Sequence, residues 1–298
     1  MRYKKLISVM ACLLLLIMLF QLTVFVAERE KTKDAAFSCL TYDEKNNVIN
    51  GYWSEQDKIW YLFVPSTVSI PEMTLFCTGA VQRTSAGTLD ADGATVTGAF
   101  SQSGDQVALT TADGKTYTVQ VMQSDLPSVH IVLKDATLSD VHKDKDEKFN
   151  NNSVYIMDPD GVYDLAVEDS VEMKGRGNTT WKMFDKKGYQ IKFASKTSVM
   201  GMGKAKKWVL LANAGDDSMM RTMLTYRMAE NLGMDYVTSF EYVDLWVSGE
   251  YLGTYIVAFR GTEVASHFFR GMTQIGRTFR EEGLHILCKA FVKLIARH

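Results

Sequence analysis

The chain has 298 residues, 33 Lys and Arg against 35 Asp and Glu, and 46% hydrophobic residues. That is room for one large domain or two small ones, and a net charge of −2 speaks against a basic, nucleic-acid-coating protein, so no nucleic-acid partner is expected. Four Cys, four Pro, 21 Gly and 11% aromatics exclude a disulfide-built miniprotein, a collagen-like chain and a disordered one.

Arg2, Lys4 and Lys5 precede an uncharged run from Leu6 to Val26. About 20 apolar residues span a bilayer as a helix, and the basic flank stays on the cytoplasmic side. Residues 1–27 therefore read as a signal anchor, giving a single-pass cell-membrane protein with its C-terminal part extracytoplasmic. The alternative is a signal peptide and secretion after cleavage, although Phe25-Val26-Ala27-Glu28 is a poor cleavage site. Export permits disulfides. Cys39 and Cys77 share one candidate domain, and both a bridge and two free thiols stay open. There is no CxxC, and His130, His142, His267, His285 and His298 are scattered, so no zinc site is expected.

Residues 28–123 read as short strands. Ile59–Val64, Met73–Cys77, Thr95–Phe100, Gln106–Thr111 and Thr116–Met122 are apolar or alternating. Asp92-Gly93, Ser103-Gly104 and Asp113-Gly114 supply the positive φ of hairpin turns. The expectation is a small all-β sandwich. Val107–Val121 resembles the closing hairpin of bacterial immunoglobulin-like modules, which implies a spacer or adhesion role. A carbohydrate-associated role would rest on Trp53, Trp60 and Tyr61, and core packing accounts for them better. Ser124-Asp125-Leu126-Pro127 makes a break. Val129–Leu133 is a strand. Asp140–Asn152 is very polar and predicts a surface loop, without the residue order of a calcium loop.

From Val171 to Tyr255 the text becomes dense. Lys174-Gly175-Arg176-Gly177-Asn178-Thr179-Thr180-Trp181 sets an arginine between two glycines. Glycine allows close backbone approach, and exposed amides with a guanidinium suit phosphate oxygens; a Gly-rich turn between strands explains the same residues. In Gly188–Phe193, Tyr189, Ile191 and Phe193 face one way and Gln190 and Lys192 the other. Lys192 is thus either a phosphate-facing lysine or a solvated one. Trp208–Ala212 is uniformly apolar, as a strand covered on both faces would be. Asp217 or Ser218 then fits the N-cap of a helix whose Met220, Met223, Leu224 and Met228 make one apolar stripe, predicted to be core, with Gly233 as its stop. Tyr242–Val247 and Tyr251–Val257 form a hairpin about Ser248-Gly249-Glu250, with Gly253 as a bulge.

Five blocks in order resemble the spore-coat protein H (CotH) kinase family: Lys174–Trp181, Lys187–Lys192, Lys207–Asn213, Asp216-Asp217-Ser218 with Arg221, and Ser248–Tyr255. The resemblance implies an atypical protein-kinase-like fold that binds ATP with Mg2+ and phosphorylates Ser on a protein substrate. It implies that Arg176 and Asn178 lie over the nucleotide, that Lys192 faces its phosphates, and that Lys174 is a further candidate. It assigns no catalytic residue and no metal ligand in this chain.

After Val257 the text leaves the family pattern. From Ala258 on there are seven Lys and Arg against three Glu, and no Asp. The tail 258–298 reads as divergent, through a frameshift or truncation near residue 257 or as a natural short form. The expected chain is therefore α+β: an N-terminal transmembrane helix, a sandwich-like module over 28–123, and over 124–257 the first part of a kinase-like domain. It would be an exported, membrane-anchored, ATP-binding protein that lacks the acids for transfer. The competing reading is a non-catalytic surface binding or structural protein.

Overall fold

The computed structural model describes residues 37–40, 48–234 and 237–259. The apolar run 6–26 and the tail from 260 lie outside the described residues. Among those described, no helix is long and apolar enough to cross a membrane. Contacts divide the chain into two units, one running to Val64 and resuming over Val68–Met122, the other comprising Pro65–Thr67 and the chain from Gln123.

Among the described residues the first unit holds ten strands: β1 (Phe37–Leu40), β2 (Val48–Asn50), β3 (Tyr52–Ser54), β4 (Ile59–Val64), β5 (Thr74–Cys77), β6 (Val81–Thr84), β7 (Thr88–Leu89), β8 (Thr95–Thr97), β9 (Gln106–Thr111) and β10 (Thr116–Gln123). They form two five-stranded sheets, β2-β1-β5-β8-β7 and β3-β4-β10-β9-β6. Period-two alternation decides which side chains enter the core. Leu62, Leu75, Val96, Leu109, Val119 and Val121 are fully enclosed. Phe37 of one sheet meets Trp60 and Tyr117 of the other edge-on, at 5.5 and 5.9 Å between ring centroids. Gly93, Gly104 and Gly114 take φ of 69°, 93° and 80°, the left-handed conformation their turns require.

Cys77 is a free thiol. Its ladder partner is Phe37, while Cys39 pairs with Leu75 two residues along. Burial, with a smaller contribution from the Asp90 charge, pushes its pKa up to about 11. The thiolate is the reacting species, so Cys77 is expected to alkylate slowly with iodoacetamide at pH 8 and faster as the pH climbs towards 11. Site-resolved mass spectrometry checks this; rapid labelling at pH 8 contradicts the burial argument.

The second unit holds β11 (Ser128–Val132), α1 (Leu138–Lys143), β12 (Phe149–Met157), β13 (Leu165–Arg176), α2 (Thr179–Met183), β14 (Gly188–Ser198), β15 (Lys204–Leu211), α3 (Arg221–Asn231), β16 (Phe240–Val247) and β17 (Glu250–Phe259). The expectation of an α+β chain with a kinase-like second half is overturned. The described residues are predominantly strand, and the seven strands close in the order β11-β12-β13-β14-β15-β17-β16. Closure comes from a parallel pairing of β11 with β16, Ser128 to Asp244 through Ile131 to Val247. The other neighbours in the ring are antiparallel. Closure removes the unpaired edges an open sheet would leave. Bulges in β12, between Lys192 and Thr197, and at Leu245–Trp246 increase the bending that closure needs. Gly253, at φ 89°, sits at the last of them.

The barrel interior is filled by its own strands: Val129, Ile131, Val154, Ile156, Val171, Met173, Ile191, Phe193, Trp208, Leu210, Val243, Leu245 and Val257 all belong to one buried cluster. That leaves no interior room for a helix, so α3 lies outside. Its predicted core stripe is corrected accordingly. Met220, Leu224 and Met228 are 46%, 48% and 57% exposed. Of the stripe only Met223 is half-buried, together with Thr222, Tyr226 and Ala229 on the same helix, and the Tyr226 ring rests on Phe240 at 5.3 Å. The polar stretch predicted as loop also differs. Thr137 and Asp140 make a reciprocal capping box that starts α1, each satisfying a backbone N–H of the other. Asn152, 1% exposed, donates from Nδ2 to the carbonyls of Phe149 and Val171 and belongs to β12.

Candidate functional site

Strand register places the candidates. In β13 and β14, Glu172 pairs with Lys192, Lys174 with Gln190, and Arg176 with Gly188. Met173, Tyr189 and Ile191 are enclosed, so by alternation Glu172, Lys174, Arg176, Gln190 and Lys192 all belong to the outer face of the barrel. Lys192 and Arg176 thus share one surface, four residues apart along the ribbon, or about 13 Å at the rise of a strand. β15 extends the face by setting Lys207 directly opposite Lys192. Two ammonium groups facing each other across strands repel, and an anion between them relieves that repulsion.

The carboxylates on this face are already engaged. Glu172, 15% exposed, lies 3.6 Å from Lys192 Nζ and 3.7 Å from Lys148 Nζ. Asp146 accepts from Lys145 at 2.7 Å and from Lys174 at 3.5 Å, and the Lys145 hydrogen bond is the main cause that lowers its pKa. Lys192 is 39% exposed and presents its ammonium to solvent beside Lys207. Gln190, between Lys174 and Lys192 in the face, is 4% exposed. Arg176 lies within electrostatic reach of Tyr226 on α3: burial raises the Tyr226 pKa, and the guanidinium partly offsets that. Asn178 stands apart. It is exposed, precedes α2, and makes no side-chain cap bond.

The two glycines of the motif have packing roles. A Cβ on Gly175 would stand 2.6 Å from the Trp181 ring and 3.0 Å from Lys145 Cα, so this glycine makes room for the indole. Gly177 turns at φ 110° into α2. Trp181 meets Tyr189 and His142 edge-on, at 6.4 and 5.8 Å. His142 Nε2 is 2.8 Å from the Tyr189 hydroxyl, and burial, then the Lys187 charge, lowers the His142 pKa. Tyr255 donates its hydroxyl to the Lys187 carbonyl at 2.8 Å. Lys187 Nζ donates to the carbonyls of Trp181, at 2.7 Å, and Phe184, satisfying orphan groups at the end of α2. Lys187→Met would leave both carbonyls without that donor. The expected cost is about 1–3 kcal/mol, read as a lower urea midpoint by circular dichroism; an unchanged midpoint contradicts the capping role.

Other acids in the unit are held as well. Asp244, 3% exposed, accepts from Tyr251 at 3.1 Å, Thr254 at 2.9 Å and the Ser124 hydroxyl. Asp216 accepts from Ser218 Oγ, Ser218 N–H and the Arg221 N–H. Its pKa is lowered, first by the Ser218 hydroxyl. The N-cap of α3 is Met220, without a side-chain cap bond, and not the expected Asp217 or Ser218; Asp216, through the Arg221 N–H, and Ser218, whose Oγ accepts from the Met220 N–H, tie the loop to the start of the helix. Among the described residues no group of three or more His, Cys, Asp or Glu could hold a metal ion.

The site therefore gathers Lys174, Arg176 and Lys192 on one face and leaves Asn178 outside it. Sequence reasoning missed Glu172, Lys148 and Lys207. Alternation placed Lys192 on the polar side of its strand; only register shows which charges stand opposite.

Residues 173–258 match the family model described as CotH kinase protein, the stretch from Met173 in β13 to Ala258 in β17. No curated protein matches the chain.

Proposed function

We propose that the CotH-like segment holds the phosphates of ATP on the outer face of β13, β14 and β15. The observation that carries this reading is the pairing of Lys192 with Lys207 beside Lys174 and Arg176, an excess of cations over the two carboxylates, Glu172 and Asp146, that they bracket. Charge-assisted bonds from ammonium and guanidinium groups to phosphate oxygens are about twice as strong as neutral ones. Glu172 keeps Lys192 extended along the face, much as carboxylate–lysine pairs do in phosphoryl-transfer enzymes. ATP supplies the phosphoryl group. The chain's own part is to bind and orient it: Lys192 and Lys207 on one side of the polyphosphate, Arg176 on the other. The described residues offer no built magnesium site, so no step is assigned to that ion. In this reading the acceptor is a Ser-bearing protein, and the run 6–26 anchors the chain in the membrane with this face exported.

A non-catalytic surface role is the second reading. One observation favours it: Asp146, Glu172, Asp216 and Asp244 are all committed to local cations or donors, which leaves none of these four as the base for an acceptor hydroxyl. Calorimetric titration of the full chain with magnesium-ATP tests nucleotide binding, and transfer of labelled phosphate to a Ser-rich protein separates the two readings. Absence of heat and of competition by inorganic triphosphate removes the first.

A further inference from the structure

The first unit carries a surface that the phosphate site does not use. In the β3–β4 hairpin the aromatics divide by the pleat. Trp60, 7% exposed, packs into the core, and Trp53, its ladder partner, lies against it at 5.7 Å. Tyr61 and Phe63 are on the opposite face, their rings stacked at 5.9 Å and 24°. Tyr52 pairs with Tyr61 in the ladder and is 58% exposed. Asp57 accepts from the Tyr61 hydroxyl at 3.2 Å, which orients that ring.

The sheet order β3-β4-β10-β9-β6 continues this aromatic edge into a polar field. On the same outward parity, Gln106 Nε2 donates to Gln120 Oε1 at 3.1 Å, and the hydroxyls of Thr110 and Thr116 are 3.0 Å apart. Asp57 in the β3–β4 turn and Arg83 of β6, opposite Thr110 in the ladder, put charge at the two margins of this face; β4, β10 and β9 between them contain no charged residue. Charge complementarity therefore selects the partner. An acidic peptide, a nucleic acid or an anionic lipid surface would find no counter-charge on these strands. A neutral polysaccharide finds what it needs: aromatic faces for the flat C–H face of a pyranose, and amides and hydroxyls for its OH groups.

We propose that the outer face of this sheet binds a neutral polysaccharide, with sugar rings stacked on Tyr52, Tyr61 and Phe63 and hydroxyls bonded by Gln106 and Gln120. The site is independent of the nucleotide reading.

The test uses the full chain in mild detergent. Co-sedimentation with microcrystalline cellulose and with chitin, and affinity electrophoresis in mixed-linkage β-glucan, supply three neutral probes; heparin is the anionic one. At least one neutral probe is expected to retain the protein, with retention unaffected by added NaCl because no ion pair forms. Tyr52→Ala and Tyr61→Ala are each expected to weaken retention about tenfold, as loss of an aromatic stack does, while Tyr61→Phe keeps the ring and the binding. All these side chains point outward, so the variants keep the wild-type circular dichroism spectrum. Four outcomes overturn the proposal: no retention by any neutral probe, retention unchanged in both Ala variants, retention only on heparin and lost in salt, or a wild-type dimer that Tyr61→Ala converts to monomer, which would make the face a contact between copies.

Discussion

Trp208→Ala is expected to lower the stability of the barrel by about 3–5 kcal/mol, the usual cost of truncating a large buried aromatic. Trp208 has no exposed surface. It sits on β15 between Ile191 of β14 and Phe259 of β17 in the ladder, and its indole N–H donates to the Ala205 carbonyl at 3.2 Å. Two terms add in the variant: the lost transfer energy of the ring, and a cavity that strands joined into a closed ring cannot collapse to fill. Urea unfolding followed by circular dichroism reads the loss as a lower midpoint. Leu224→Ala on α3 is the control. At 48% exposure it is expected to change stability by less than about 0.5 kcal/mol. Equal losses in the two variants would mean that Trp208 does not fill the barrel.

The second large effect is on nucleotide affinity. Arg176→Ala and Lys192→Ala should each weaken magnesium-ATP binding by about 10- to 100-fold, the worth of one charge-assisted hydrogen bond of roughly 1.5–3 kcal/mol. Lys192→Arg should retain most of the affinity, since the charge stays beside Glu172. Asn178→Ala, whose residue lies off the face, should change it little. Raising salt should weaken the wild-type interaction more than that of either Ala variant, because fewer charges remain to be screened. Isothermal titration calorimetry gives all of these from one set of proteins. Wild-type affinity in both Ala variants would remove Arg176 and Lys192 from the site.

The glycine-bearing motif shows how a residue type can be read correctly and its partner missed. Close approach at Gly175 is real, yet what approaches is the Trp181 ring. The aromatic hairpin is similar. Core packing holds for Trp60 and Trp53, but the pleat sends Tyr61, one position after Trp60, to the outer face with Tyr52 and Phe63. On α3 the period of 3.6 residues marks a helix, and Gly233 at φ 64° ends it as expected. The stripe itself is not core, because the barrel beneath is already full.

Sequence by itself determined the local pieces: the Gln106–Thr111 and Thr116–Gln123 hairpin, the two-sided burial of Trp208-Val209-Leu210, the turn at Ser248-Gly249 with φ of 48° and 87°, and the CotH-like blocks. Each depends on residues adjacent in the chain, through alternation, backbone sterics or turn chemistry. Only the tertiary structure decided that β11 runs parallel beside β16 and closes a ring, that Lys207 stands against Lys192 while Glu172 and Lys148 flank the pair, and that the sandwich sets Tyr52, Tyr61 and Phe63 together on one outer face. Strand pairing joins residues more than a hundred positions apart through backbone hydrogen bonds that every residue type can make. No local pattern encodes which partner is taken; the fit of the enclosed side chains does.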